Sequence, residues 1–326
     1  MQLLLDTRGL ILKQHNKSFL VVSKNKKAKI SPHRIDSIAV TAACMLTTTA
    51  LRLAVKHKIP VYLLGPSGDL EGTIWSPYLV GLVAQRKAQV YWSDAKDALI
   101  WVVEIIALKM ARQAALITRL GQPVLATALI EQKEKLLELS QSKIAKKDTL
   151  TPADIEAVRQ SIFGLEGTAA RNYWTGISNA LPKGWQFEKR SRRPAKDAFN
   201  ASLNYLYGMM YGSVELAIFS AGLDPYIGIL HGEGYQRSAF TFDCIEPFRP
   251  WVDEILVASF QAEIPKMNWF VPKGEGWWLG KKGRAWIIPR FNDFLVEQKK
   301  VNQTETTVRN HLATFTGTLA KRIINH

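Results

Sequence analysis

Cysteine is nearly missing from this chain, with only Cys44 and Cys244 among 326 residues. That excludes a disulfide framework and a cysteine-rich zinc cluster, and it suits a reducing cytoplasm. Long apolar runs are missing too. The most apolar stretch, Ala98 to Met110, is broken by Glu104 and Lys109 and is too short to span a bilayer, so no membrane association is expected. The opening segment, Met1 to Asp6, lacks a basic n-region, and no signal peptide is expected. Acid is in deficit: 28 Asp and Glu face 43 Lys and Arg, a net charge of +15 with a pI near 9.7. A field of that sign draws polyanions, although a merely solvated basic surface has the same composition. With 47% apolar and 22% charged residues, the chain is an ordinary globular protein rather than a disordered one.

What is present divides in two. Up to about residue 75, short β-branched runs separated by turn residues predict strands: Leu3–Leu5, Leu10–Leu12, Phe19–Val22, Ile35–Val40 and Val61–Leu64. One helix, started by Thr47–Thr49 and stopped by Pro60, interrupts them, and Gly65–Gly68 is a turn. From about Ala95 the apolar period becomes helical. Helices are expected over 98–120, 124–139, from Thr151 onward, 198–221, 253–261 and 310–324. Thr151-Pro152-Ala153-Asp154 reads as a helix start. The expected fold class is α+β: a small β-rich N-terminal domain (1–85), a linker (86–94) and a larger all-α catalytic domain (95–326).

Three distant segments carry the candidate chemistry. Glu166, in Gly164-Leu165-Glu166-Gly167, lies beside the apolar stripe Ile162, Leu165, Ala169 and Tyr173, so its charge needs a partner: a metal, or an arginine such as Arg171. His231 closes Asp224-Pro225-Tyr226-Ile227-Gly228-Ile229-Leu230-His231 and precedes a glycine-rich turn. It is either a metal ligand or a loop residue. Asp243 and Glu246 stand three apart and would share a helical face. Repelling acids can mark a cation, but an acidic first helical turn would be equally ordinary. Pro247 and Pro250 each deny a backbone hydrogen bond and are expected to kink or delay the helix after Asp243. Two basic runs complete the inventory. Lys189-Arg190-Ser191-Arg192-Arg193-Pro194-Ala195-Lys196 reads as a loop that could grip phosphates. Lys281-Lys282-Gly283-Arg284 follows Trp277-Trp278, aromatics that could stack on bases.

Read in order, these segments resemble the CRISPR-associated integrase of spacer acquisition. Lys58 to Leu64, Lys109 with Gln113, the Gly-Leu-Glu-Gly segment, Arg192-Arg193-Pro194 with Asp197 to Tyr205, Leu223 to His231, and Asp243 to Pro250 follow that family's order and spacing. The resemblance implies a metal-dependent DNA endonuclease and integrase that inserts short prespacer DNA into a repeat array by 3′-hydroxyl attack. It implies a cytoplasmic, prokaryotic homodimer, its β-rich domain serving dimerisation and DNA contact, joined to a small CRISPR-associated adaptation partner. Glu166, His231 and Glu246 would be the catalytic metal ligands for Mg²⁺ or Mn²⁺, with Asp243 close behind. Arg86, Arg190, Arg192, Arg193, Lys196, Asn200, Arg249, Lys281 and Lys282 would meet double-stranded DNA. A transposon integrase with the same site, or a DNA-binding architectural subunit whose acids are structural, are the alternatives.

Overall fold

The computed structural model describes residues 2–24, 26–35, 37–65, 70–74, 76, 82–147, 149–231 and 238–326. The expected Pro66–Gly68 turn, Pro77, and the glycine-rich turn after His231 lie outside them. The chain forms two compact units, Met1–Leu82 and Val83–His326.

The first unit is built on two four-stranded sheets. Strands β1 (Gln2–Leu5), β2 (Ile11–His15), β3 (Ser18–Val22), β4 (Lys27–Ile30), β5 (Ser37–Val40), β6 (Met45–Leu46), β7 (Val61–Leu64) and β8 (Leu70–Ile74) surround helix α1 (Thr48–Lys56). In one sheet β1, β5 and β7 run parallel and β8 pairs antiparallel with β7. In the other, β4-β3-β2 is an antiparallel meander and β6 adds parallel to β2. Thr47 caps α1 by accepting from the Ala50 amide. Leu5, Leu12, Phe19, Ile38, Ala50, Leu53 and Val61 form the core. Strand β4 escapes a sequence reading because Lys-Ala-Lys-Ile carries too little apolar alternation. It is an edge strand, where lysine discourages further pairing.

The second unit is mainly helical: α2 (Leu82–Ser93), α3 (Lys96–Arg119), α4 (Pro123–Leu139), α5 (Pro152–Asn179), α6 (Ala198–Ser220), α7 (Ala239–Ile245), α8 (Arg249–Ala262), α9 (Lys281–Val296) and α10 (Val308–Ile324). The full capping box of Thr151 and Asp154 starts α5 as the sequence implies. Two expectations are corrected. Residues 86–94 are not a linker: α2 covers most of them, anchored by fully buried Trp92 and Gln89. The unit is not all-α either. Hairpins β9 (Phe270–Lys273) with β10 (Gly276–Leu279), and β11 (Gln298–Val301) with β12 (Thr304–Thr307), break the helical run. Helix α3 is the axis, with Ala98, Val102, Ile106, Met110 and Ile117 buried. Arg322 of α10 ties down its start, pairing with Asp97 at 2.7 Å and Glu104 at 2.6 Å.

Candidate active site

Glu166 emerges from the middle of α5. Ile162, Ala169 and Tyr173 are wholly buried beneath it, so the stripe read from the sequence fixes the helix and presents the carboxylate at its edge. Glu166 does not pair with Arg171, which bonds Thr168 instead. Its Oε1 accepts from Lys109 Nζ of α3 at 2.5 Å, and the same ammonium donates to Glu246 Oε2 at 2.5 Å. Two carboxylates that are 80 residues apart in sequence therefore converge on one cation. Lys109 joins the candidate site, and sequence reasoning left it without a role at the acids. The signal was a lone lysine on the apolar face of α3, where an unpaired charge would be costly.

Glu246 sits where the prolines act. Helix α7 ends at Ile245, Glu246–Phe248 make one 3₁₀ turn, and α8 restarts at Arg249 with Pro250 in its first turn, so the expected kink is real. Glu246 opens that turn and meets Lys109, while Asp243, three residues earlier on α7, bonds other partners. Arg249 Nε donates to Glu246 Oε1 at 2.9 Å, and Arg249 Nη2 donates to Tyr211 at 2.6 Å. Burial alone would push the Glu246 carboxyl up, but Arg249 and Lys109 overcome it and hold it down at about 2. Burial would likewise lower the Lys109 pKa, yet Glu166 and Glu246 raise it.

Asp243 is fully buried. Its Oδ2 accepts from the amides of Ile229 and Leu230 at 2.7 and 3.2 Å. Its Oδ1 accepts from the His231 amide at 3.1 Å and faces His231 Nδ1 at 2.7 Å. An aspartate carboxylate only accepts, so the shared proton belongs on Nδ1, and in the neutral ring Nε2 then carries the lone pair. Gly228 lets this loop close, since a Cβ there would lie 2.5 Å from Ala239 Cβ and 2.8 Å from the His231 carbonyl. Helix α2 braces the same loop: Gln89 donates to the Asp224 carbonyl at 2.8 Å and accepts from its amide at 2.7 Å. The imidazole ring lies 6.2 Å from Phe163 and 5.9 Å from Phe242.

The structure thus gathers Glu166 with Glu246, and Asp243 with His231, and His231 is near enough to add to the field on Glu246. Among the described residues no three His, Cys, Asp or Glu side chains stand in a metal-holding arrangement, and Lys109 occupies the point between the two glutamates.

Of the residues expected at DNA, Arg192, Arg193, Lys196, Lys281 and Lys282 are exposed. Lys196 pairs with Glu275 at 3.2 Å, and Arg86 faces Asp224 at 3.9 Å. Three others have inward duties. Asn200 is fully buried, donating its backbone and side-chain amides to the helix cap Asp197 and accepting from the Ser191 amide. Arg190 donates to Ser191, Asn200 and Asn204 and lies against Tyr207 and Trp174. Arg249 is spent on Glu246. These three build the loop and the acid rather than a cationic surface. The loop and the hairpin meet, since Ala195 bridges to Trp277. That joins the two basic runs that the sequence left separate, with Trp278 exposed beside them.

Behind this loop lies a buried carboxylate that the sequence did not mark. Asp253 accepts from Tyr173 at 2.6 Å and Tyr207 at 2.7 Å. Burial lifts its pKa from 3.8 to about 6 against the lowering effect of those hydroxyls. The fold therefore holds this proton more tightly than the unfolded chain does. The corresponding stability is complete below about pH 4 and is lost as pH rises through 6, an effect of about 3 kcal/mol. Asp253→Asn should gain on the parent protein by about that amount between about pH 4 and pH 7 in parallel urea titrations. A difference that does not vary with pH would refute the assignment.

The helical unit thus brings carboxylates from distant segments together around one ammonium, beside an aspartate-bonded histidine. The model of the family "CRISPR associated protein Cas1" matches residues 3–293, and the chain belongs to the Cas1 family. It is 30% identical over 270 residues to a CRISPR-associated endonuclease Cas1 of Archaeoglobus fulgidus, covering 79% of this chain and 77% of that one. Its fold matches a Cas1 protein from Thermotoga maritima with a TM-score of 0.77 at 19% identity, covering 100% of this chain and 98% of that one. It also matches a casposase bound to integration product, with a TM-score of 0.73 at 24% identity and 99% and 90% coverage. At such identities these two likenesses are of fold.

Proposed function

We propose that this protein is a metal-dependent DNA endonuclease and integrase of CRISPR adaptation, which inserts short prespacer duplexes into a repeat array. The convergence of Glu166 and Glu246 on a single cation carries the reading. Two carboxylate oxygens already share an ammonium, so the donor set fits a divalent ion, and an imidazole with a free Nε2 extends it. Glu166, Glu246 and His231 would hold Mg²⁺ or Mn²⁺. When bound, that ion polarises a phosphoryl oxygen and eases deprotonation of a hydroxyl.

The protein's own groups do the rest. Arg249 keeps Glu246 ionised and aimed, and Asp243 fixes the His231 tautomer. Gly164 and Gly167 leave α5 bare on either side of Glu166, with no atom beyond their chain neighbours and the helix's own backbone within 4 Å of where a Cβ would stand. Glycine inside a helix costs about 1 kcal/mol, and here it serves no packing. It leaves room for a nucleic-acid backbone to approach. The donor 3′-oxygen bonds to the target phosphorus as the bond to the leaving 3′-oxygen breaks, and that oxygen departs as a hydroxyl. Family membership implies a second copy of this chain and a small CRISPR-associated partner. The fold shared with a casposase supports a transposon-type integrase as a second reading.

The test is strand transfer by purified protein from short duplexes into a supercoiled array plasmid, with and without Mn²⁺. Insertion at repeat boundaries supports the first reading, a requirement for terminal-repeat ends the second, and no transfer with metal refutes both. The exposed loop offers a separate check. Arg192→Gln with Arg193→Gln should weaken binding alike on all sequences and flatten the log K against log salt slope by about one per lost contact. An unchanged slope takes the loop out of the interface.

A further inference from the structure

Lys109 is more than a partner for one acid. Its side chain is 8% exposed, and its ammonium stands 2.5 Å from an oxygen of each glutamate, one on α5 and one on the 3₁₀ turn before α8. Helix α3 delivers it from a mostly apolar face, with Ile105, Ile106 and Met110 buried beside it and Gln113 one turn on. No third carboxylate bonds it among the described residues.

We infer that Lys109 is a built-in surrogate cation: it holds Glu166 and Glu246 at a common point in the metal-free protein, and it must leave that point for a divalent ion to enter. The inference rests on the metal reading above and concerns how the site loads. Without Lys109, two carboxylates would face each other with Arg249 as the one remaining cation bonded to either, and their repulsion would spread them. With it, the ligands are preorganised, at the expense of a competitor that the metal must displace. Affinity for metal is therefore set lower than the ligands alone would give. The bridge also explains why three ligands do not stand together: while the ammonium occupies the point, His231 has nothing there to bind.

The test uses Mn²⁺ alone, read by calorimetry and by the electron paramagnetic resonance signal of the free ion, with no DNA and no turnover. Lys109→Met should bind Mn²⁺ at least about tenfold more tightly than the parent protein, because the competitor is gone and the site is more negative. Without metal it should melt at a lower temperature, and Mn²⁺ should raise its melting temperature more than the parent's. A Lys109→Met protein that binds Mn²⁺ no tighter, while Glu246→Gln abolishes binding, overturns the inference and leaves the metal site standing. Unchanged binding in Glu246→Gln overturns the metal site and this inference with it. Should Lys109→Met not fold, the parent protein decides. Acetic anhydride followed by mass spectrometry should label Lys109 several-fold faster when Mn²⁺ saturates the protein, with the other lysines unchanged. Equal labelling of Lys109 with and without Mn²⁺ also overturns it.

Discussion

Glu166→Gln is expected to abolish strand transfer, by a factor of about 10³ or more, while the fold and the affinity for duplex DNA stay close to those of the parent protein. On the proposed reading the charge removed holds the metal, whereas capture of the duplex draws on the basic surface. Glu166 is partly exposed, at 23% for its side chain, so the neutral amide there meets water and one ammonium. Glu246→Gln should lose activity to the same degree but differ in stability. That side chain is 3% exposed and bonds two buried cations, Lys109 and Arg249. Removing its charge leaves both short of a partner at a cost of about 3–5 kcal/mol. The pair of variants separates chemistry from folding: activity should fall in both, and the urea midpoint should fall substantially in Glu246→Gln alone. Substantial integration by either variant would end the assignment of these two residues to the metal.

Much of this site was visible in the sequence, and what was hidden follows a pattern. Glu166 could be placed because Ile162, Ala169 and Tyr173 set a helical period around it. The kink between Asp243 and Glu246 could be placed because a proline removes a donor wherever it stands. Partners across elements could not be placed. Lys109 looked like an interruption of an apolar stretch, and nothing local says that α3 carries it to two glutamates 57 and 137 residues away. The same blindness hid the acceptors of Arg190 and Arg249, which were expected at DNA and bond Asn200, Asn204 and Glu246. Helix α2 read as a linker because its residues show only a weak apolar period. What holds it is Trp92 in the core and the exchange of hydrogen bonds between Gln89 and Asp224, both tertiary. Hairpin β11–β12, Gln-Lys-Lys-Val against Thr-Glu-Thr-Thr, offers no apolar alternation at all.

The second large effect separates the two acids of the third motif. Helical spacing suggested a shared role, but their partners differ: Glu246 meets Lys109, and Asp243 is committed to the loop ahead of α7. Asp243→Ala would strip the acceptor from three backbone amides and an imidazole at a wholly buried position. Each buried donor left unsatisfied costs about 1–3 kcal/mol, partly recovered by relaxation, so a loss of about 3–5 kcal/mol is expected. Asp243→Asn keeps one acceptor oxygen and should lose about half of that. Its amide also frees His231 Nδ1 from a fixed acceptor, so the imidazole loses its set tautomer and orientation. Strand transfer should then fall by a factor of about 10–100, the usual cost of losing the partner behind a ligating histidine. That is well short of the loss in Glu246→Gln, and raised Mn²⁺ should recover part of it. Nitrogen-15 spectra of His231 give an independent reading, with the Nδ1–H tautomer dominant in the parent protein and mixed in Asp243→Asn. An Asp243→Ala protein as stable as the parent, or an Asp243→Asn protein less active than Glu246→Gln, would show that Asp243 belongs with the metal and not behind the histidine.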